Sequence, residues 1–366
     1  MAPPLRRLVL AQIALGDPAV SPDGSHALYT RRSAQTQGYR RHVWIVPLDG
    51  GRPRALTSGD VRDSAPRFTP QGDRALFLRD QQVWAVPLAG GEAEQITLLP
   101  NGVSGFAHAP QGGRLALAAA APEARFLVGP LGGEAAPVAR VITRADWRLD
   151  GEGYLDRHTH LYVQEARAGA RPRRLTRGDW SVGSFSWSPD AKHLAFCAEC
   201  GERADIDAAP AVHVVSVRGG EPTELAILSG SCSAVSWSPD GEHVAFLGID
   251  EAGEPCGCED SLWVVPAGGG VPRDLAPGRH LDLHLTLASD LLDWEVEAGG
   301  GLSWDGSAAV ISPLTLAGHT SLWRFPLDGE PEQVDGCEPH IHGYACGGGR
   351  TVTLRGAATG GVELFV

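Results

Sequence analysis

Residues 185–196, FSWSPDAKHLAF, return almost unchanged as VSWSPDGEHVAF at residues 235–246. A phrase repeated at such an interval constrains a chain more than its composition does. It points to stacked supersecondary units, each burying its apolar face only against the next. Aligned on the turn, further copies stand at SPDG 21, TPQG 69, APQG 109, SPDA 188, SPDG 238, SWDG 303 and a degraded CGGG 346, seven in all. In such a turn Pro fixes φ, Asp bonds nearby backbone, and Gly supplies the positive φ at which the chain reverses. After each turn comes a short apolar run such as His193-Leu-Ala-Phe196 or His243-Val-Ala-Phe246, suited to a strand covered on both faces.

A second strand recurs downstream: VWIVPLDGG from Val43, VWAVPLAGG from Val83, LYVQEARAG from Leu161, VHVVSVRGG from Val212, LWVVPAGGG from Leu262, LWRFPLDGE from Leu322 and VELFV from Val362. Most copies run into a Gly-rich turn and a closing strand ending at Leu56-Thr57, Ile96-Thr97, Leu175-Thr176, Leu225-Ala226 or Leu275-Ala276. The unit is strand, SPDG turn, strand, loop, strand, Gly-Gly turn, strand. The spacing therefore predicts an all-β, seven-bladed β-propeller of four-stranded antiparallel blades, with the last blade incomplete. Blades are expected near 16–60, 61–102, 103–180, 181–231, 232–283, 284–337 and 338–366, after a leading helical segment at 1–15. The widest gap, residues 118–158, predicts an insertion in blade 3. Other long segments at 197–211, 248–260 and 279–301 are expected on the faces, where propellers bind their ligands.

The chain stops at GGVELFV, inside an apolar strand and without a closing strand. An unpaired strand there invites association unless it is covered. Three arrangements meet that need: the leading segment pairs with it, another chain does, or the sequence continues into a longer protein, which is the expectation preferred.

With 43% hydrophobic and 20% charged residues among 366, the chain has the composition of a globular protein. A net charge of -13 argues against nucleic acid and anionic lipid as partners. No stretch is long and apolar enough to span a bilayer, and the short apolar run after Arg6-Arg7 is broken by Gln12. Seven cysteines without disulfide-framework spacing fit a reducing cytoplasm.

The SPDG and WSPDG turns, the LW-x-V closers and above all WRLDGEGYLDRHTHLYVQEARAGARPRRLTRGDWSVGSFSWSPD (Trp147 to Asp190) resemble the amino-terminal propeller of the acylaminoacyl peptidases. These are serine peptidases of the prolyl oligopeptidase family. The SPDG repeats alone also resemble the TolB propeller. The peptidase resemblance implies an α/β-hydrolase domain in the parent protein, absent from these residues, carrying the Ser, Asp and His of the reaction. A nucleophile elbow needs G-x-S-x-G, and Gly230-Ser-Cys-Ser-Ala234 and Gly301-Leu-Ser-Trp-Asp305 both fail it. Accordingly no catalytic, cofactor or metal-binding residue is assigned to this chain. The resemblance implies instead a propeller that gates the peptidase site, admitting short or N-acylated peptides, with its leading segment Leu5–Leu15 against the hydrolase domain. Homo-oligomers are compatible with it. A free-standing interaction propeller is the alternative. A third reading, a metal enzyme in the central channel, requires inward-facing His, Asp or Glu, and the inner strands SFSW and AVSW offer none.

Four further groups of residues are candidates. Cys197, Cys200, Cys256 and Cys258 follow the second strands of adjacent blades, where they could bind zinc, form a disulfide or stay free. His158/His160 and His340/His342 each set two imidazoles on one side of an extended segment, as metal ligands or as satisfied histidines. Trp44, Trp84, Trp263 and Trp323 recur at one blade position, which predicts inter-blade core. Arg171, Arg173, Arg174 and Arg177 are expected to be a solvated turn, with a substrate carboxylate as the functional reading.

Overall fold

The computed structural model describes residues 11–35, 38–128, 139–150, 153–201, 204–207, 209–251, 260–278, 281, 283, 301–335, 340–356 and 361–366. They form a seven-bladed β-propeller, six blades of four antiparallel strands and a seventh of three. Blade 1 shows the pattern: Ile13–Val20, His26–Ala34, Tyr39–Pro47 and Arg54–Ala55, paired in sequence order. The seventh consists of His340–Gly347, Arg350–Gly356 and Val362–Phe365. The first strand begins at Ile13, three residues inside the segment expected to be helical. Ile13, Ala14 and Leu15 pair with Ser33, Arg32 and Arg31, so their ladder bonds lie with blade 1. Residues 1–10 lie outside the described residues.

The repeated turns are hairpins between the first and second strands, and the Ser and Asp they spell form one device three times. In blade 5 the Ser238 hydroxyl donates to Asp240 Oδ1 (2.6 Å), which also accepts the Glu242 N–H (3.0 Å), while Ser238 Oγ accepts the His243 N–H (2.9 Å). Blades 1 and 4 repeat it at Ser21/Asp23 and Ser188/Asp190. The hydroxyl bond from Ser188, together with the Lys192 N–H, holds the Asp190 carboxyl down to about 2. The SPDA turn puts Ala191 at φ 55 where the others carry Gly.

Antiparallel order fixes the two faces. First-to-second and third-to-fourth connections are tight turns on one face. Second-to-third and blade-to-blade connections fall on the other. The insertion, bounded by Arg114–Ala120 and Thr159–Glu165, therefore rises from this second, loop face. Beside it stands α1, Ala204–Asp207, in the matching loop of blade 4.

Apolar side chains are buried between blades. One cluster joins blades 1 and 2 (Leu28, Ile45, Phe77), another blades 3 and 4 (Leu161, Leu194, Phe196), and a third blades 4 and 5 (Val212, Phe246, Val265). Burying one such Phe contributes about 1.5–3 kcal/mol. Trp84 and Trp263 pack on these clusters and Trp323 on a further one between blades 5 and 6, as their period predicts, and Trp44 lies under the Arg31 guanidinium, 4.8 Å from its ring centre. Blade 7 meets blade 1 differently. A Cβ on Gly348 would collide with the Gly24 nitrogen, so the SPDG turn of blade 1 and the CGGG turn of blade 7 touch backbone to backbone. Arg350 reaches Asp49 across the same seam (2.5 Å).

Six of the seven first strands carry an irregularity in register that sequence reading passes over, among them Gly16/Ala19, Ser64/Arg67, Val182/Phe185 and Ser233/Ser236. Asp17, Ala65 and Ala234 take φ values of 48–49° at theirs. Bulges bend and twist a strand, which suits it to an inner wall. The Asp17 carboxylate accepts the Ala65 N–H (3.0 Å) and the Thr30 hydroxyl (3.3 Å), tying blade 1 to blade 2.

Candidate functional site: the pocket beneath the blade 3 insertion

Two concavities concern function. The first, of 420 Å³, is the turn-face end of the central channel, walled by first strands of blades 1, 2, 3, 6 and 7, with Phe68, Phe106, Leu302 and Tyr344 among its apolar lining. Arg67 and His108 add polar groups. The inner strands are less devoid of titratable side chains than SFSW and AVSW suggest, since Asp17, His108, His340 and His342 all lie on them. Those two phrases come from blades 4 and 5, and these four residues sit in blades 1, 3 and 7, with Asp305 on the first strand of blade 6. No cluster of three or more potential metal ligands forms among the described residues.

The second concavity, of 400 Å³, opens on the loop face where the insertion overhangs the joint between blades 3 and 4. Its floor is the end of blade 3. Thr176 follows the closing strand, and its Oγ1 accepts the buried Leu161 N–H (2.9 Å). Thr57 and Thr97 cap Val43 and Val83 in the same way, which explains the recurrent Leu-Thr closers. The Thr176 hydroxyl also meets His160 Nδ1, 3.1 Å away, and with the Gly178 backbone favouring a proton on the far side of the ring, it is the hydroxyl that donates there. The neutral His160 ring then carries its hydrogen on Nε2. That atom is buried and has no hydrogen-bond partner among the described residues, although His160 is wholly inaccessible to solvent. The Gly178 backbone is near enough to favour the proton but not aligned to close a bond. Burial, then the nearby Arg174 charge, lowers the His160 pKa to about 4, so the ring is neutral at pH 7.

His158 is held at both nitrogens. Its Nε2 donates to Asp179 Oδ1 (2.7 Å) and its Nδ1 accepts from the Ser181 hydroxyl (3.0 Å). Ser181, His158 and Asp179 thus follow one another like a serine hydrolase triad, but the ring nitrogens are exchanged relative to that arrangement, in which Nε2 serves the Ser. Ser181 Oγ accepts the Thr159 N–H (3.2 Å) and does not line the pocket. Its place is that of a strand cap.

The insertion supplies the roof. Arg125, its side chain 5% exposed, spans to the Asp146 carboxylate (2.6 Å) and to the Asp146 and Leu155 carbonyls, while its buried Nε makes no hydrogen bond and has the Asp179 carboxylate 3.9 Å away. Arg144 joins Asp179 and Asp205 (both 3.3 Å), and Asp205 also accepts the Ala145 N–H, which ties the roof to α1. Glu123 reaches down to Arg174 Nη1 (2.7 Å).

The Arg cluster is therefore divided by strand alternation. Arg173 points along blade 4 to the Val217 carbonyl, Arg174 lines the pocket, and Arg177 stands at its exposed edge with no hydrogen bond or ion pair among the described residues. The expectation of a merely solvated turn is corrected for Arg174, which pairs with Glu123, and holds for the exposed Arg177. What sequence could not supply is Arg125, Arg144 and Glu123, whose approach depends on how the insertion folds back.

The other candidates do not converge. His342 is buried and His340 stacks on His319, ring centres 5.1 Å apart. Cys197 is buried, its thiol pushed up to about 12 by desolvation, and Cys200 is exposed. Cys256 and Cys258 lie outside the described residues. The thiol whose charge Cys197 would meet is that of Cys232, across the interface between blades 4 and 5.

Comparison with known proteins bears out the resemblance read from the repeats. The uncharacterized peptidase YuxL of Bacillus subtilis is 26% identical over 216 residues, covering 57% of this chain and 33% of that protein. The acylaminoacyl peptidase of Pyrococcus horikoshii superposes with a TM-score of 0.71 at 16% identity, over 97% of this chain and 51% of its own. The chain thus matches about half of that peptidase and a third of YuxL. The propeller domain of the trilobed protease of Pyrococcus furiosus, described as having an open velcro topology, gives 0.64 at 15% identity over 97% and 95%. An oligogalacturonate lyase in complex with manganese gives 0.66 at 16% over 96% and 89%, so the fold alone is shared by unrelated chemistries. No protein-family model matches the sequence.

Proposed function

We propose that this chain is the non-catalytic propeller of an acylaminoacyl-peptidase-type serine peptidase, working in the cytoplasm and gating access of short or N-acylated peptides to a hydrolase domain of the same parent protein. The observation that carries this reading is the coverage: nearly all of the chain superposes on about half of such a peptidase. The match to YuxL, a protein also named a peptidase, supports it. A channel mouth of 420 Å³ suits an extended peptide and refuses a folded domain, which makes size the basis of selection.

The test is an assay of acyl-amino-acid and peptide substrates on two samples, the chain alone and the parent protein that contains it. The chain alone is expected to be inert. The parent is expected to cleave short acylated peptides, to spare casein, and to be silenced by a serine-directed phosphonate. Phosphonate-sensitive turnover by the chain alone, or a parent that degrades casein as readily as peptides, would overturn the proposal. The competing reading is a free-standing propeller, favoured by the 89% coverage of the lyase. A reading frame that ends at Val366 without a G-x-S-x-G segment would establish it.

A further inference from the structure

We infer that the pocket beneath the blade 3 insertion is a binding site for a carboxylate carried by a small ligand, with Arg174 and Arg177 as its charged contacts and His160 Nε2–H as its buried donor. It deepens the gating reading only in naming a short peptide as the carrier of that carboxylate.

Three observations converge. First, donors outnumber acceptors. His160 Nε2 is buried without a hydrogen-bond partner among the described residues, while Arg125 Nε has only the Asp179 carboxylate, 3.9 Å away, and both residues line the cavity. A buried donor left without an acceptor costs roughly 1–3 kcal/mol, so a fold retaining one beside a cavity is short of an acceptor there. Second, a carboxylate already occupies one of the charged groups. Glu123, its side chain 67% exposed, sits on Arg174 as a tethered stand-in for a ligand. A bond from its own backbone N–H, then the one from Arg174, keeps its carboxyl below the usual range, so it is ionised in that role. Third, charge and size agree. Arg125 is matched by Asp146 and Arg174 by Glu123, both histidines are neutral at pH 7, and Arg177 is left at the edge without an ion pair among the described residues. A volume of 400 Å³ falls at the small end of ligand pockets, which span about 300–1,000 Å³.

Planar guanidinium groups favour a carboxylate through paired, charge-assisted bonds. Arrival of the ligand would release Glu123 from Arg174, so Glu123 competes with it. Arg177 contributes charge without supporting the fold, and blade 1 has Ser58 at the equivalent position.

The experiment is calorimetric titration of this chain at pH 7 with acetyl-Ala-Ala free acid, its carboxamide, succinate and inorganic phosphate. The free acid is expected to bind at least roughly tenfold more tightly than the amide, the difference of about 1.4 kcal/mol that one charge-assisted contact supplies. Arg177→Ser is expected to weaken the acid by roughly tenfold with its melting temperature unchanged, and Glu123→Gln to tighten it several-fold. Succinate binding distinguishes side-chain from terminal carboxylates, and either supports the site. Equal binding of acid and amide, no saturable binding of any carboxylate, binding of phosphate alone, or an affinity indifferent to both variants would overturn the inference. Binding is read without hydrolysis, so this result and the peptidase assay can fail independently.

Discussion

Blades 1 and 3 end in the same phrase, and only one of them makes a pocket of it. In blade 1 the run is Leu56-Thr57-Ser58-Gly59-Asp60, in blade 3 Leu175-Thr176-Arg177-Gly178-Asp179. Thr57 and Thr176 cap the third strand alike, and Asp60 and Asp179 each accept an N–H from two residues before the equivalent histidine, Arg40 (2.9 Å) and His158 (2.7 Å). His42, the counterpart of His160, closes its Nε2 bond on the Gly59 carbonyl at 2.9 Å. His160 does not close the bond to Gly178. In blade 1 the joint faces water, with Asp60 86% exposed. In blade 3 an insertion roofs it, buries both imidazoles and brings two carboxylates, Glu123 and Asp146, and two guanidinium groups, Arg125 and Arg144, to it. The difference teaches that a local motif sets the capping bonds, while cover from elsewhere decides whether the leftover donors are spent on water or kept for a ligand.

The sharpest way to break this comparison is to remove the shared cap. Thr176→Val strands both the Leu161 N–H and His160 Nδ1 and should cost about 2–4 kcal/mol, read as a fall in the urea midpoint. Thr57→Val strands one N–H and should cost about 1–3 kcal/mol. Equal losses would mean that His160 and Thr176 do not act together.

Acid should separate the blades next. Burial lowers the pKa of His160 to about 4, so the unfolded chain, near 6.5, takes up the proton first. The stability this ring contributes is complete above about pH 6.5 and is lost as pH falls towards 4. His158 moves in the same direction. Blade 2 carries Gln82 at the His160 position, where its Oε1 accepts the Thr97 hydroxyl (2.8 Å). His160→Gln is therefore expected to keep the Thr176 contact and flatten the melting temperature between pH 7 and pH 4.5. A variant that loses stability with acid as steeply as the parent chain would assign the effect to other groups.

The smallest effect belongs to the exposed joint. Arg40→Ala removes a pair whose partners are 40% and 86% exposed, and should change stability by no more than about 0.5 kcal/mol. A loss comparable with that of Thr57→Val would show that blade 1 depends on the pair as blade 3 depends on His158.

Much of the fold was legible because its signals are local. SPDG spells its own hairpin through hydrogen bonds within six residues, and the closing Leu-Thr spells a cap. The pocket was half legible. His158, His160, Arg174 and Arg177 stood out by type and spacing, but Arg174 was expected to be solvated, and nothing in the order of residues signalled that Glu123 would cover it. The start of blade 1 was misjudged for a related reason: Ile13-Ala14-Leu15 suits a helix by itself and becomes a strand only because His26–Ala34 offers it a ladder.

The sequence by itself determined the repeat, and with it seven antiparallel units whose apolar strands must pack on their neighbours. It also determined the turn and cap chemistry, since those bonds close within a few residues. Only the tertiary structure decided which identical phrase is left open to water and which is roofed, where the first strands bulge, and that the ring closes on Gly24 against Gly348. These outcomes depend on contacts between distant segments, and the free energy of burying or satisfying a polar group is set by whatever the rest of the chain places beside it.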